Sequence, residues 1–362
     1  MKKRVTLEDI AAACNTSPAT VSLALRNRAG VSRERRAEIL EAAHRLGYVA
    51  QQRDSRDDVP PLRNVALIFR TPDWTEERSA PALNHFYSWV LTGIQDGASR
   101  HRINLNLGTI PVNLDNEATT LPDMLGVQPL AGVLLVGAFK EETVANVKER
   151  LGDGSTPMVL VDNMAPDLRV DSVTTEHRAG MADATRALIA RGHRSIGFAG
   201  PPPGVDRNFD LRRAGYVDAM REHGLPTQDF DVGMNLDRLR IALQERRGAF
   251  TALVCANDYT ATLIVHAARR AGIEVPGELS LIGFDDTTDA RHIHPTISTM
   301  AVDKEGLGRL AVKLLAYRLE WPDAAPMHLS LGTHLIQRES VADMQMDPDT
   351  GPQHDRVAEV PS

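Results

Sequence analysis

From Asn64 onward the chain alternates short apolar runs with segments of helical periodicity, and this alternation leaves few folds open. The runs are Val65–Phe69, Ile103–Leu107, Gly132–Val136, Met158–Val161, Ser195–Ala199, Ala252–Cys255 and Leu279–Phe284. Between them lie helical patterns such as Trp89–Arg100, Ala179–Arg191, Arg212–His223, Tyr259–Ala271 and Lys304–Leu319. Strand-helix repeats of this kind build mainly parallel sheets flanked by helices. Seven such units exceed one comfortable sheet, so two lobes are expected.

Residues 1–50 read differently: short helical patterns with no strand signal. Residues 51–63 are polar, carry Pro60-Pro61 and form a linker. The polar, acidic residues 343–362 read as a disordered tail. The expected organisation is therefore a head (1–50), a linker (51–63) and an α/β body (64–342). The body divides into a first lobe of about 64–162 plus 296–322 and a second of about 163–295 plus 323–342.

Charge separates the parts further. The chain carries −7, yet residues 1–50 hold nine Lys/Arg against five Asp/Glu, so the head is +4 and the remainder −11. A basic head on an acidic body points to contact with nucleic acid at one end only. Cys14 and Cys255 match no metal or redox spacing, which fits a reducing cytoplasm. No apolar run spans a bilayer and the start has no secretory pattern, so neither export nor membrane insertion is expected.

The head spells out two short helices and a tight turn. Thr6 caps the first helix, with Asp9 placed to reach back. Leu7, Ile10, Ala11 and Cys14 make one apolar stripe. Asn15 suits a left-handed turn. Ser17 and Pro18 restart a helix as N-cap and first residue, with Val21 and Leu25 inward. Ser32 caps a third helix that packs Ile39, Ala42, Ala43 and Leu46 over the pair, closed by Tyr48. This is a helix-turn-helix, whose second helix presents its front end to the DNA major groove.

Val5–Ala50 resembles the head of the LacI/GalR transcription regulators. The residues that carry it are Val5-Thr6, Asp9-Ile10-Ala11, Ser17, Thr20-Val21-Ser22, Leu25, Val31-Ser32, Ala42-Ala43 and Leu46-Gly47-Tyr48. The resemblance implies base reading at Pro18, Ala19 and Leu23, all apolar and so suited to thymine methyls. Thr6, Ser17, Thr20, Ser22 and Asn27 suit phosphates, and Arg26, Arg28 and Arg33 add salt-dependent attraction. The linker departs from the family. A leucine that wedges into the minor groove in relatives is replaced at the corresponding position by Asp57, which cannot insert between base pairs. Either the operator is not kinked that way, or the hinge aligns differently or is disordered.

The body resembles the periplasmic-binding-protein-like sensor of the same family. Its motifs are Gly93–Ala98, Arg191–Gly197, Arg212–Tyr216, Asn257-Asp258, Ile273–Asp286, Pro295–Thr299 and Gln337–Ser340. The expected fold class is an all-α three-helix head plus an α/β two-lobed sensor of parallel sheets flanked by helices. Such a sensor holds an effector between its lobes, near strand C-terminal ends. Candidate contacts are Phe86, Tyr87, Asp162, Asn208, Arg212, Asn257 and Asp285. Competing roles are a helix cap for Asp258, core packing for Trp89, an interlobe ion pair for Arg212, and solvated loop acids for Asp286 and Asp289. His292 and His294 lack further ligands and read as a hinge loop, so no metal and no cofactor are expected.

The expected function is a cytoplasmic, homodimeric, sequence-specific repressor of transcription. Its partners are double-stranded operator DNA and a small-molecule effector, a sugar. The alternatives are a purine-type effector, or a solute receptor without DNA output. Phosphate-loop, nucleophile-elbow, zinc and dinucleotide motifs are all missing from the sequence, so no enzyme is expected.

Overall fold

The computed structural model describes residues 5–25, 31–46, 63–72, 85–127, 129–152, 154–231 and 235–344. The chain divides into two compact units, 1–61 and 62–362.

The first unit contains α1 (Leu7–Ala13), α2 (Pro18–Leu25) and α3 (Arg33–Arg45). Its core is Ile10, Val21 and Ile39, all fully buried, with Ala11, Cys14, Ala24, Ala42 and Ala43 around them. Leu46 differs from expectation: it is 38 % exposed, because it lies beyond the end of α3 rather than on its inner stripe. Gly47, Tyr48 and Ala50 fall outside the described residues, as does the linker through residue 62, including Asp57.

The second unit contains two six-stranded sheets. Along the chain come β1 (Arg63–Pro72), α4 (His85–His101), β2 (Ile103–Val112), α5 (Met124–Val127), β3 (Gly132–Val136), α6 (Glu141–Arg150), β4 (Met158–Val161) and β5 (Asp171–Thr175). Then follow α7 (His177–Ala190), β6 (Ile196–Gly200), α8 (Arg207–Glu222), β7 (Asp229–Asp231), α9 (Leu236–Glu245), β8 (Ala252–Cys255), α10 (Asp258–Ala271), β9 (Ser280–Asp285) and α11 (Thr288–His292). The chain closes with β10 (Ser298–Ala301), α12 (Lys304–Glu320), β11 (His328–Leu331) and β12 (His334–Ile336). The first sheet has the order β11-β5-β4-β3-β1-β2, every pair parallel. The second runs β12-β10-β9-β8-β6-β7, parallel except for β12 against β10.

These sheets correct the expected lobe boundaries. β5 and β11, placed in the second lobe from sequence, pair in the first sheet. β10, placed in the first lobe, pairs in the second. The chain therefore crosses between lobes after Thr175, after Ala301 and after Leu331. α12 packs on α4 and on β3, β4 and β5, so it belongs to the first lobe.

Small residues set the tightest helix contacts. A Cβ at Gly93 on α4 would lie 2.1 Å from the Glu305 carbonyl oxygen, and one at Gly308 on α12 would lie 2.2 Å from that of Val90. The glycine of the Gly93–Ala98 motif is thus a packing residue: only a missing side chain lets these two helices touch. The expected tail begins in order rather than disorder, since Arg191 pairs with Asp343 at 2.7 Å and Met344 donates its N–H to the Arg191 carbonyl. Residues 345–362 lie outside the described residues.

Candidate DNA-binding head and ligand cleft

In the head, the local hydrogen bonds follow the capping residues. Asp9 N–H donates to Thr6 Oγ1 at 3.3 Å while Thr6 N–H donates to Asp9 Oδ2 at 2.7 Å, a reciprocal box. Asn15 has φ 46°, the left-handed turn its side chain tolerates. Ser17 Oγ accepts from Thr20 N–H at 3.1 Å and starts α2. Burial of Val21 and Ala24 turns the other face of α2 outward. On that face Ser17, Pro18, Ala19 and Leu23 are exposed, with Thr20 and Ser22 half-buried beside them. Thr6 is exposed at the front of α1. Arg26, Asn27 and Arg28 lie outside the described residues, as does the Arg33 side chain.

Arg35 was not singled out from sequence. Its guanidinium donates to the carbonyls of Cys14 at 2.6 Å and Asn15 at 3.1 Å, and it pairs with Glu38 at 2.6 Å. It ties α3 to the turn between α1 and α2. Nothing in a run of arginines distinguishes it beforehand.

In the sensor, the expected ligand residues gather where strand ends of the two lobes meet. Asp162 follows β4 and Asp285 ends β9; both are buried and both have positive φ, 57° and 110°. Such backbone is costly for aspartate, about 1–3 kcal/mol, and persists only where neighbours hold it. Lys304, the first residue of α12, is one such neighbour: its buried ammonium donates to the carbonyls of Asp285, Asp286 and Val302. Asp162 receives the Tyr87 hydroxyl at Oδ2 (3.0 Å), and Asn208 donates its side-chain amide to the Asp162 carbonyl at 2.9 Å. That last bond joins α8 of the second lobe to the end of β4 in the first.

Arg212 is the most engaged of the set. It donates to Asp285 at 3.0 Å, to the Ala256 carbonyl at 2.6 Å and to His177 Nδ1 at 3.3 Å. Its guanidinium carbon lies 3.9 Å from the centre of the Phe284 ring. Its partner Asp285 stands in the same lobe, so the ion pair is not the interlobe one considered from sequence. Burial raises Asp285 to about 6 against the pull of Arg212, and burial with the nearby Asp162 charge raises Asp206 to about 6. Burial, reinforced by Asp162, pushes the Tyr87 hydroxyl well up. Burial pulls His177 down, and the Arg212 charge adds to the effect. The imidazole is the neutral form, and the Arg212 donor at Nδ1 puts its proton on Nε2.

Several expectations are corrected. Phe86 sits 5 % exposed in the hydrophobic core and meets Tyr87 edge-on at 5.1 Å, so its ring is a packing residue. Trp89 is 44 % exposed, not core, because α4 turns it to the surface. Asn257, not Asp258, caps α10, accepting from Thr260 N–H at 2.9 Å. Asp258 is fully buried and accepts from Thr299 Oγ1 at 2.6 Å and from Thr287 N–H at 2.7 Å; burial and the Asp285 charge raise it to about 7. Asp286 is buried and held by Arg291 and Arg338; burial would raise it, but these bonds keep it below the ordinary value. Asp289, His292 and His294 are exposed. Among the described residues, no three His, Cys, Asp or Glu side chains stand together to hold a metal ion. Within the described residues no helix is long and apolar enough to cross a membrane. His177, Asp206 and Lys304 are additions that sequence reasoning missed. Each stands just past a strand end or at a helix start, but none lies in a motif that separates it from an ordinary capping or surface residue.

Comparison with known proteins agrees with this division of labour. Residues 6–51 match the family model "Bacterial regulatory proteins, lacI family", and residues 185–341 match "Periplasmic binding protein-like domain". The transcriptional repressor CytR of Escherichia coli K12 is 27 % identical over 346 residues, 93 % of this chain and 94 % of its own. The solved complex of the transcriptional regulator CelR with cellobiose covers 93 % of this chain and all of its own at 25 % identity, with a TM-score of 0.63. The lac repressor dimer bound to operator shares the fold at 19 % identity and a TM-score of 0.63, over 94 % of this chain and all of its own. The capped helix-turn-helix is thus a DNA-binding domain of the LacI family, and it is followed in the chain by a periplasmic-binding-protein-like domain.

Proposed function

We propose that this regulator is a repressor whose grip on its operator is set by a small neutral polyol, a sugar, bound between the sensor lobes. The observation that carries the reading is the buried cluster of Asp162, Asn208, Arg212 and Asp285, from both lobes, at converging strand ends. Carboxylates, an amide and a guanidinium on one rim make alternating acceptors and donors, the pattern that vicinal hydroxyls satisfy. The cellobiose bound by CelR supports the ligand class. Asn257 can add its amide donors, since its oxygen is committed to the α10 cap.

At the head, Pro18, Ala19 and Leu23 lie against base edges and read them by van der Waals contact, while Thr6, Ser17, Thr20 and Ser22 hold phosphates. Arg26, Asn27, Arg28 and Arg33 complete that role from sequence. The protein acts as a homodimer on two half-sites in the cytoplasm, where operator DNA lies, and its output is binding rather than catalysis. The dimeric, operator-bound lac repressor of the same fold supports this assembly.

The test is fluorescence anisotropy of the full chain on genomic fragments, with and without ribose, glucose, cellobiose or adenosine. The expected outcome is nanomolar binding to one fragment that a sugar changes at least tenfold. Sugar binding without any DNA affinity identifies a solute receptor instead. DNA affinity that stays constant at saturating ligand removes the coupling.

A further inference from the structure

Three buried polar atoms at the crossing from β5 to α7 and the adjoining end of β4 lack hydrogen-bond partners: Asp162 Oδ1, Thr175 Oγ1 and His177 Nε2. They belong to the end of the first sheet and to the first residue of α7, on the two sides of a lobe crossing. All three side chains are more than nine-tenths buried. His177 Nε2 and Asp162 Oδ1 lie 3.4 Å apart without hydrogen-bonding geometry. Elsewhere the cleft is well satisfied: the other Asp162 oxygen, the Asn208 amide and the Arg212 fork all have partners. Buried polar groups are normally hydrogen-bonded, so three together mark a place where a further polar group, of water or of a ligand, belongs.

The chemistry of the corner narrows what fills it. His177 accepts from Arg212 at Nδ1, so Nε2 is a donor. Asp162 Oδ1 is an acceptor. A group that satisfies both must accept one hydrogen bond and donate another within the same few ångströms. A hydroxyl does this. A phosphate or carboxylate cannot donate, and it would meet Asp162, Asp206 and Asp285 at close range. An ammonium cannot accept from the imidazole.

Resting on the polyol reading above, we infer that His177 is a specificity-determining residue: with Asp162 and Thr175 it reads one ligand hydroxyl, and it rejects ligands that carry a phosphate or hydrogen at that position. His177 is not a structural filler of the hinge. Its ring meets Phe284 at 6.0 Å, and its Nε2 lies 3.4 Å from Asp162 Oδ1 at the lobe crossing.

Isothermal titration of the full chain tests this with D-ribose, D-glucose, cellobiose and adenosine, their monodeoxy analogues, and ribose 5-phosphate. For a sugar that binds, His177→Leu is expected to weaken affinity at least tenfold. His177→Gln, which keeps an N–H donor near the same place, stays within about threefold. One monodeoxy analogue binds the native chain and His177→Leu equally, because the hydroxyl that His177 reads is gone. Affinity unchanged in His177→Leu overturns the inference and leaves the polyol reading standing. Equal losses in both variants, with matching falls in melting temperature, also overturn it, since they mark a packing role. Tighter binding of ribose 5-phosphate than of ribose overturns the claimed rejection of phosphate. If none of the neutral compounds binds the native chain, the polyol reading itself falls, and the role of His177 with it.

Discussion

At the residue scale the sensor concentrates charge where water is scarce. Arg212 and Asp285 are both buried and depend on each other. Arg212→Met leaves the Asp285 carboxylate without its strongest partner, so the expected cost is about 3 kcal/mol in urea unfolding, with loss of effector binding. Acidity adds a second test. Asp206, Asp258 and Asp285 are raised to about 6, 7 and 6, against roughly 3.9 in an unfolded chain. The folded state therefore takes up these protons first, and their contribution to stability is present at low pH and lost as pH rises through 6 to 7. His177 and His193, both lowered by burial, act in the opposite sense below about 6.5. Three carboxyls outweigh two imidazoles, so the sensor is expected to melt at a higher temperature at pH 5.5 than at pH 8. Asp258→Asn flattens that slope; an unchanged slope removes the assignment. Asp162, Arg212 and Asp285 were legible in the sequence because each follows an apolar run or a family motif. Phe86 and Trp89 were misread because the run Phe86-Tyr87-Ser88-Trp89 wraps most of the way around one helical turn, and the sequence does not say which members face the core.

At the element scale the caps and turns of the head were legible to the atom, since Thr6, Asn15 and Ser17 act through local bonds that need no knowledge of the rest of the fold. Thr6→Ala is expected to cost the isolated capping box about 1 kcal/mol, read as a lower unfolding midpoint of the head. The apolar strands and major helices were legible for the same reason of pattern. β5, β7, β10, β11 and β12 were not: each mixes polar residues with apolar ones, and edge strands such as β11 and β12 are half exposed. The lobe boundaries failed with them, because strand pairing and not order along the chain decides which sheet a segment joins. Helix contacts supply a sharper test. A Cβ at Gly215 on α8 would lie 2.0 Å from the Arg178 carbonyl oxygen on α7. Backbone cannot step aside as a side chain can, so Gly215→Ala is expected to destabilise the sensor by about 1–3 kcal/mol while leaving DNA affinity of the folded protein intact.

At the scale of the whole molecule, the head and the sensor carry opposite charge for different partners. Operator affinity is expected to fall steeply as salt rises from 50 to 200 mM, whereas affinity for an uncharged effector stays nearly flat; equal slopes would remove the electrostatic division. The three crossings between sheets have another consequence, one for synthesis. β11 completes the first sheet and β12 the second, and both come late in the chain, within residues 328–336. A nascent polypeptide still attached at residue 300 thus has two open-edged sheets and neither a finished first lobe nor a finished second. While the ribosome works, both halves wait on the same few closing residues, and they are expected to mature together rather than one after the other.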